Sequence, residues 1–180
     1  IFNKLEKNGL FNHALKWGLI IGITNIILTA LVYMIEETLM IKWWFGLLIL
    51  AVNVILIIHA VNQYRKTFGG FMNFKRSFTV TFLTLIVASI IGTLFTLILY
   101  QVIDPDLPAR LTKAAIEQTK QMMSNFGAPH AQLDEQLSKI EEKTASQFTA
   151  MGTLKGFGIR LIFYFIISLI VGAIIKKKEK

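Results

Sequence analysis

Asp104-Pro105-Asp106 sets two carboxylates one residue apart, a spacing that can hold a metal-bound nucleotide. The same residues precede a helix-forming stretch entered through Pro108. There Asp106 would serve as N-cap, and capping is the preferred reading. A second candidate is YRKTFGGFMNFKRSF, Tyr64 to Phe78, in which Arg65, Lys66, Lys75 and Arg76 flank Gly69-Gly70. Backbone N–H groups around the glycines and four cations could clamp a lipid phosphate. The preferred reading is plainer. Gly69 or Gly70 stops a helix, Phe68, Phe71 and Phe74 lie at headgroup level, and the bases fix orientation. Anionic phospholipid is expected to gather there on either reading.

Other reactive residue types form no constellation. His13, His59 and His130 fall in three separate elements without ligand spacing, so no metal is expected. Cysteine is absent, which excludes a disulfide framework and a thiol nucleophile. No Walker loop, HExxH, GxSxG or catalytic carboxylate pair occurs, so neither an enzyme nor a cofactor is expected.

Asn53, His59 and Arg160 are the polar residues most out of place, because they interrupt strongly apolar runs. Arg160 is expected a few residues inside its helix end, snorkelling outward to pair with Asp104 or Asp106. Gly18 and Gly22 form a GxxxG that Asn25 and Thr29 continue on one face. Such a face permits close helix approach, within the chain in preference to a partner. Ser89, Thr93, Thr96, Ser168 and Gly172 read as further packing surface.

The elements that must carry these residues are membrane helices. Of 180 residues, 54% are apolar and 17% charged, too apolar for an ordinary soluble domain. Four runs, 17–35, 43–61, 78–103 and 157–175, are long enough to cross a bilayer as helices at 1.5 Å per residue. The first is longer than a signal h-region and lacks a cleavage pattern, so it is expected to stay. A chain that starts at Ile1 is expected to lack a few native residues.

Charge is distributed by side. The segment before the first run, the Tyr64–Phe78 loop and the tail together hold eleven cations against two acids, Glu6 and Glu179. Residues 104–155 hold seven acids and six bases. The positive-inside rule then puts both termini and the basic loop in the cytoplasm and the long third loop in the periplasm. The formal charge of +8 is thereby explained, and nucleic acid is not expected as a partner.

Residues 106–151 are too polar for lipid and too long for a bare loop. Leu111, Ala115, Met122 and Phe126 make one helical stripe; Gly127-Ala128-Pro129 breaks it. Leu133, Leu137, Ile140, Thr144, Phe148 and Met151 make a second. The expected fold is an all-α, four-span bundle with an extracytoplasmic two-helix hairpin between spans three and four, one integral membrane domain over residues 1–180.

HALKWGLIIG at the first helix, YRKTFGGFMNFKRSF, YQVIDPD after the third, and the lysine-rich tail give the chain a resemblance. It resembles the bacterial four-helix membrane proteins catalogued as domain of unknown function 4199, common in Bacteroidota. The resemblance implies a multi-pass inner-membrane protein and suggests a membrane glycosyltransferase as neighbour. It carries over no functional residue.

The preferred function is a non-enzymatic accessory or scaffold subunit that contacts another membrane protein and anionic lipid. The alternative is a small transporter or lipid flippase acting as an oligomer. A polar cavity reaching Asn25 and Asn53 would favour the alternative, and a sealed apolar core the scaffold.

Overall fold

The apolar runs fold into helices that outreach them. The computed structural model describes residues 2–67, 69–125 and 141–176, with side chains from Gly9 onward. Helix α1 is Phe2–Ile35, followed by a 3-10 turn at Glu37–Ile41; α2 is Trp43–Lys66. Helix α3, Phe74–Ile98, continues as a π turn over Leu99–Ile103, and α4 is Leu107–Asn125. Residues 141–148 are helical (α5), and α6 is Ala150–Ile175. Four segments are long and apolar enough to span: Gly9–Ile35, Trp43–Lys66, Phe74–Ile103 and Ala150–Ile175.

Each boundary has a local cause. Gly69 and Gly70 adopt φ of +64° and +86°, which ends α2 in the left-handed backbone that glycine tolerates. The Gly70 N–H closes this end on the Arg65 carbonyl at 3.2 Å. Asn73 then caps α3, its side chain accepting from the Arg76 N–H at 2.9 Å. The π turn ends at Asp104, where the following Pro105 disfavours helical backbone. Thr149 caps α6 by accepting from the Gly152 N–H at 3.0 Å, so α6 begins seven residues before the expected 157. Met151, expected in the second hairpin helix, therefore belongs to α6. A Cβ on Gly152 would lie 1.9 Å from the Ser146 carbonyl oxygen, so this corner requires glycine.

Packing follows the membrane pattern of small and polar residues inside, large apolar ones outside. Ile55 and Ile174 are 66% and 73% exposed, while Ser77, Thr81, Thr84 and Ser168 are fully buried. The hydroxyls of Thr81, Thr84 and Ser168 return to backbone carbonyls four residues earlier. Helix α3 is central, packed closely against α1 on one side and α6 on the other, whereas α2 lies on this layer more loosely. The Gly18–Gly22 face meets α3. A Cβ at Gly18 would fall 2.5 Å from Val87 Cβ, and one at Gly22 3.0 Å from Ile91.

At the bundle end away from the Gly69-Gly70 loop, Leu107 and Leu111 of α4 bury against Leu99 and Tyr100, with Phe148 of α5 packed on the same cluster. The expected break at 127–129 and stripe positions Phe126, Leu133, Leu137 and Ile140 lie outside the described residues.

Candidate functional site: a polar cavity within the four spans

The loose seating of α2 leaves room where the helices carry amides and hydroxyls. Asn25 and Thr29 of α1, Asn53 of α2, Ser89, Gly92 and Thr96 of α3, and Arg160 and Tyr164 of α6 line a cavity of about 150 Å³. Helical spacing produces this convergence. Asn25 and Thr29, and Arg160 and Tyr164, are each one turn apart and share a face. All four spans contribute to its lining.

Hydrogen bonding inside it is partial. The Asn25 Nδ2 donates to Asn53 Oδ1 at 3.0 Å, and Thr96 returns its hydroxyl to the Gly92 carbonyl at 2.9 Å. Asn25 Oδ1 and Ser89 Oγ are buried and have no hydrogen-bond partner among the described residues. Buried polar atoms left unpaired in apolar surroundings are unfavourable, so a ligand that satisfies them is welcome here. Gly92 keeps the space open, since a Cβ there would meet nothing within 4 Å.

Arg160 stands at the mouth of this cavity. Ten residues after the start of α6, it lies about 15 Å along the helix and about 7.5 Å beyond the exposed Lys155. Its Nε donates to the Gly156 carbonyl at 3.3 Å and its Nη2 to Thr93 Oγ1 at 3.4 Å. The expected pairing of Arg160 with Asp104 or Asp106 is not formed. Asp104 lies beyond the π turn and is already taken by other donors. Among the described residues, Arg160 meets no carboxylate within ion-pair distance.

Arg160 and Thr96 also line a second space, a vestibule of about 950 Å³ at the bundle end carrying α4 and α5. Its walls include Phe45, Phe148 and Ile159 together with Lys143 and Lys155. The inner cavity and the vestibule thus meet at two polar residues.

Asp104 belongs to a separate cluster. Arg110 binds it through Nη1 at 3.2 Å and Nη2 at 2.6 Å, while its Nε and Nη2 reach Glu37 at 2.5 and 2.6 Å. Tyr33 Oη adds a bond to Asp104 Oδ2 at 2.8 Å. The Arg110 guanidinium holds both carboxyls below their ordinary range, with Tyr33 assisting at Asp104, and its own pKa is raised in return. Asp104 rather than Asp106 supplies the capping side chain, accepting from the Leu107 N–H at 3.1 Å. Asp106 contributes its backbone carbonyl to Arg110 N–H. The acid-x-acid pair is therefore divided between two tasks, both structural.

At the opposite end, the basic loop is partly structural as well. Arg65 Nη1 donates to the Ile175 carbonyl at 3.2 Å, closing the C-terminus of α6. Lys66 and Lys75 are exposed and Arg76 half-buried. His59 accepts from Gln63 Nε2 at 3.2 Å and packs against Trp17, their rings 5.3 Å apart. His13 Nε2 donates to the Ala60 carbonyl at 2.9 Å, and its ring packs at a tilt against Tyr64, centroids 5.0 Å apart. His13 and His59 thus tie α1 to α2, His130 lies outside the described residues, and no group of three metal-ligating residues occurs among the described residues.

The family model described as Protein of unknown function (DUF4199) matches residues 16–177. The chain belongs to this family. No curated protein and no solved structure matches it. The matched span of this DUF4199 protein takes in all four helices that build the cavity, and the vestibule with them.

Proposed function

We propose that this protein binds a small polar group within the membrane and passes or presents it across part of the bilayer, as a transporter or lipid-handling protein without bond-making chemistry. The observation that carries the reading is the cavity shared by all four spans, which reaches both Asn25 and Asn53. A passive accessory subunit would be favoured by a sealed apolar core, and this core is not sealed. The lining holds amides, hydroxyls and a guanidinium, with no His, Cys, Asp or Glu among the described residues, which suits binding rather than acid–base work.

The cytoplasmic membrane is the proposed location, with both termini and the basic loop inside and α4–α5 outside, as the lysine and arginine distribution favours. Lys66 and Lys75, exposed beside the loop, are the proposed contacts for anionic phospholipid.

The test is extraction in mild detergent followed by native mass spectrometry of wild type and Gly92→Leu, which fills the cavity from a position with free space around it. Wild type is expected to carry a small molecule or lipid that Gly92→Leu lacks. Equal recovery of the same species on both proteins would contradict the proposal.

A further inference from the structure

We infer that the cavity and vestibule together form a site for the anionic head of an amphiphile, a phosphate or carboxylate seated at Arg160 with its chain in the vestibule. The inference rests on the binding role proposed above and adds the chemical class of the ligand.

Three observations converge on it. Charge in the two spaces is of one sign. Lys143 and Lys155 line the vestibule, Arg160 lines both spaces, and no acid among the described residues lines either. A guanidinium in low dielectric without a carboxylate partner is unfavourable alone, and its fork matches a phosphate or carboxylate bidentately. Ser89 adds an unengaged hydroxyl in the inner cavity, whereas the Thr96 hydroxyl stays on the Gly92 carbonyl.

Size divides head from chain. At about 150 Å³ the inner cavity has the room of roughly five waters, enough for a phosphate and too little for an alkyl chain. The vestibule, about 950 Å³, stands at the upper end of the roughly 300–1,000 Å³ typical of ligand sites. Its walls carry Met40, Phe45, Phe148, Met151 and Ile159, apolar surface for which a free inorganic anion has no use.

Access fits an amphiphile too. Helices α2 and α6 meet only sparsely, and Phe45 and Ile159 face the vestibule from these two helices. A chain can therefore slip from the bilayer into the vestibule between these helices as its head reaches Arg160. Lys143 and Lys155, both exposed, stand at the rim where an arriving head first meets the protein.

Isothermal titration calorimetry in a nonionic detergent tests this with dodecyl phosphate, dodecyltrimethylammonium and inorganic phosphate. Wild type is expected to bind dodecyl phosphate at least about tenfold more tightly than either other probe. Arg160→Gln should weaken dodecyl phosphate about tenfold or more, and Arg160→Lys less, because charge returns without the fork. Lys155→Gln, an exposed change that leaves the packing intact, should weaken it about threefold. Equal binding of inorganic phosphate would overturn the amphiphile. Equal binding of the cationic probe, or an unchanged affinity in both Arg160→Gln and Lys155→Gln, would overturn anion recognition. If affinity then still falls in Gly92→Leu, the cavity reading survives that failure; if it does not, both fall together.

Discussion

Arg110 binds two carboxylates at once, Glu37 before α2 and Asp104 after α3, and so ties the first turn of α4 to the bundle. Both carboxyls titrate below their ordinary values. A group with a depressed folded-state pKa stabilises fully above its unfolded value, about 4 for these residues, and loses that contribution as pH falls through the lowered one. Limited proteolysis within α4 is therefore expected to accelerate as pH drops below about 4. Arg110→Gln should raise cleavage at neutral pH modestly and flatten this dependence, because exposed pairs are individually weak.

Inside the membrane, Asn25→Leu removes the bond to Asn53. It should cost about 0.6 kcal/mol, the average for interhelical hydrogen bonds in bilayers, read by unfolding in mixed micelles. Asn53 and Arg160 stood out in the sequence as misfits in apolar runs, and Asn25 as the continuation of the Gly18–Gly22 face. Their meeting was not legible, because it depends on the rotation of four helices against one another, which residue spacing within one helix leaves undetermined. The partner of Asp104 was missed for a related reason. Arg110 is six residues on, outside any helical period, and only the turn at Pro105 brings it back.

At the scale of elements, tight α1–α3 packing and loose α2 packing coexist, and the glycines divide accordingly. Gly18→Leu drives a side chain into Val87 and the Thr84 carbonyl and should destabilise by about 1–3 kcal/mol or more. Gly46→Leu, on α2 with nothing within 4 Å of its Cβ, should be close to neutral in the same unfolding assay.

The existence and order of the spans were legible in hydropathy alone, as was the loop at Gly69-Gly70. Their ends were less so, because Asn73 and Thr149 extend α3 and α6 beyond the apolar runs through capping. Counting α6 from 157 leaves Arg160 three residues from the helix end, whereas counting from Ala150 leaves it ten.

For the molecule as a whole, a loosely seated helix gives a four-span bundle a polar interior without proline breaks in the spans. Positive charge is arranged at two depths: the lysines and arginines beside the Gly69-Gly70 loop, proposed above to face the cytoplasm, and Arg160 with Lys143 and Lys155 around the cavity and its vestibule. The first set was apparent from sequence because topology depends on counts of charge. The second was hidden because Lys143 and Lys155 belong to a long loop of mixed sign.

The most direct test of an outward-opening intramembrane cavity is thiol accessibility in intact cells, for which a chain without cysteine is well suited. Thr96→Cys, Asn53→Cys and Lys66→Cys would be exposed singly to a small membrane-impermeant methanethiosulfonate. Modification of Thr96→Cys, slower modification of Asn53→Cys and protection of Lys66→Cys are predicted. Protection of both Thr96→Cys and Asn53→Cys, or modification of Lys66→Cys alone, would contradict the account.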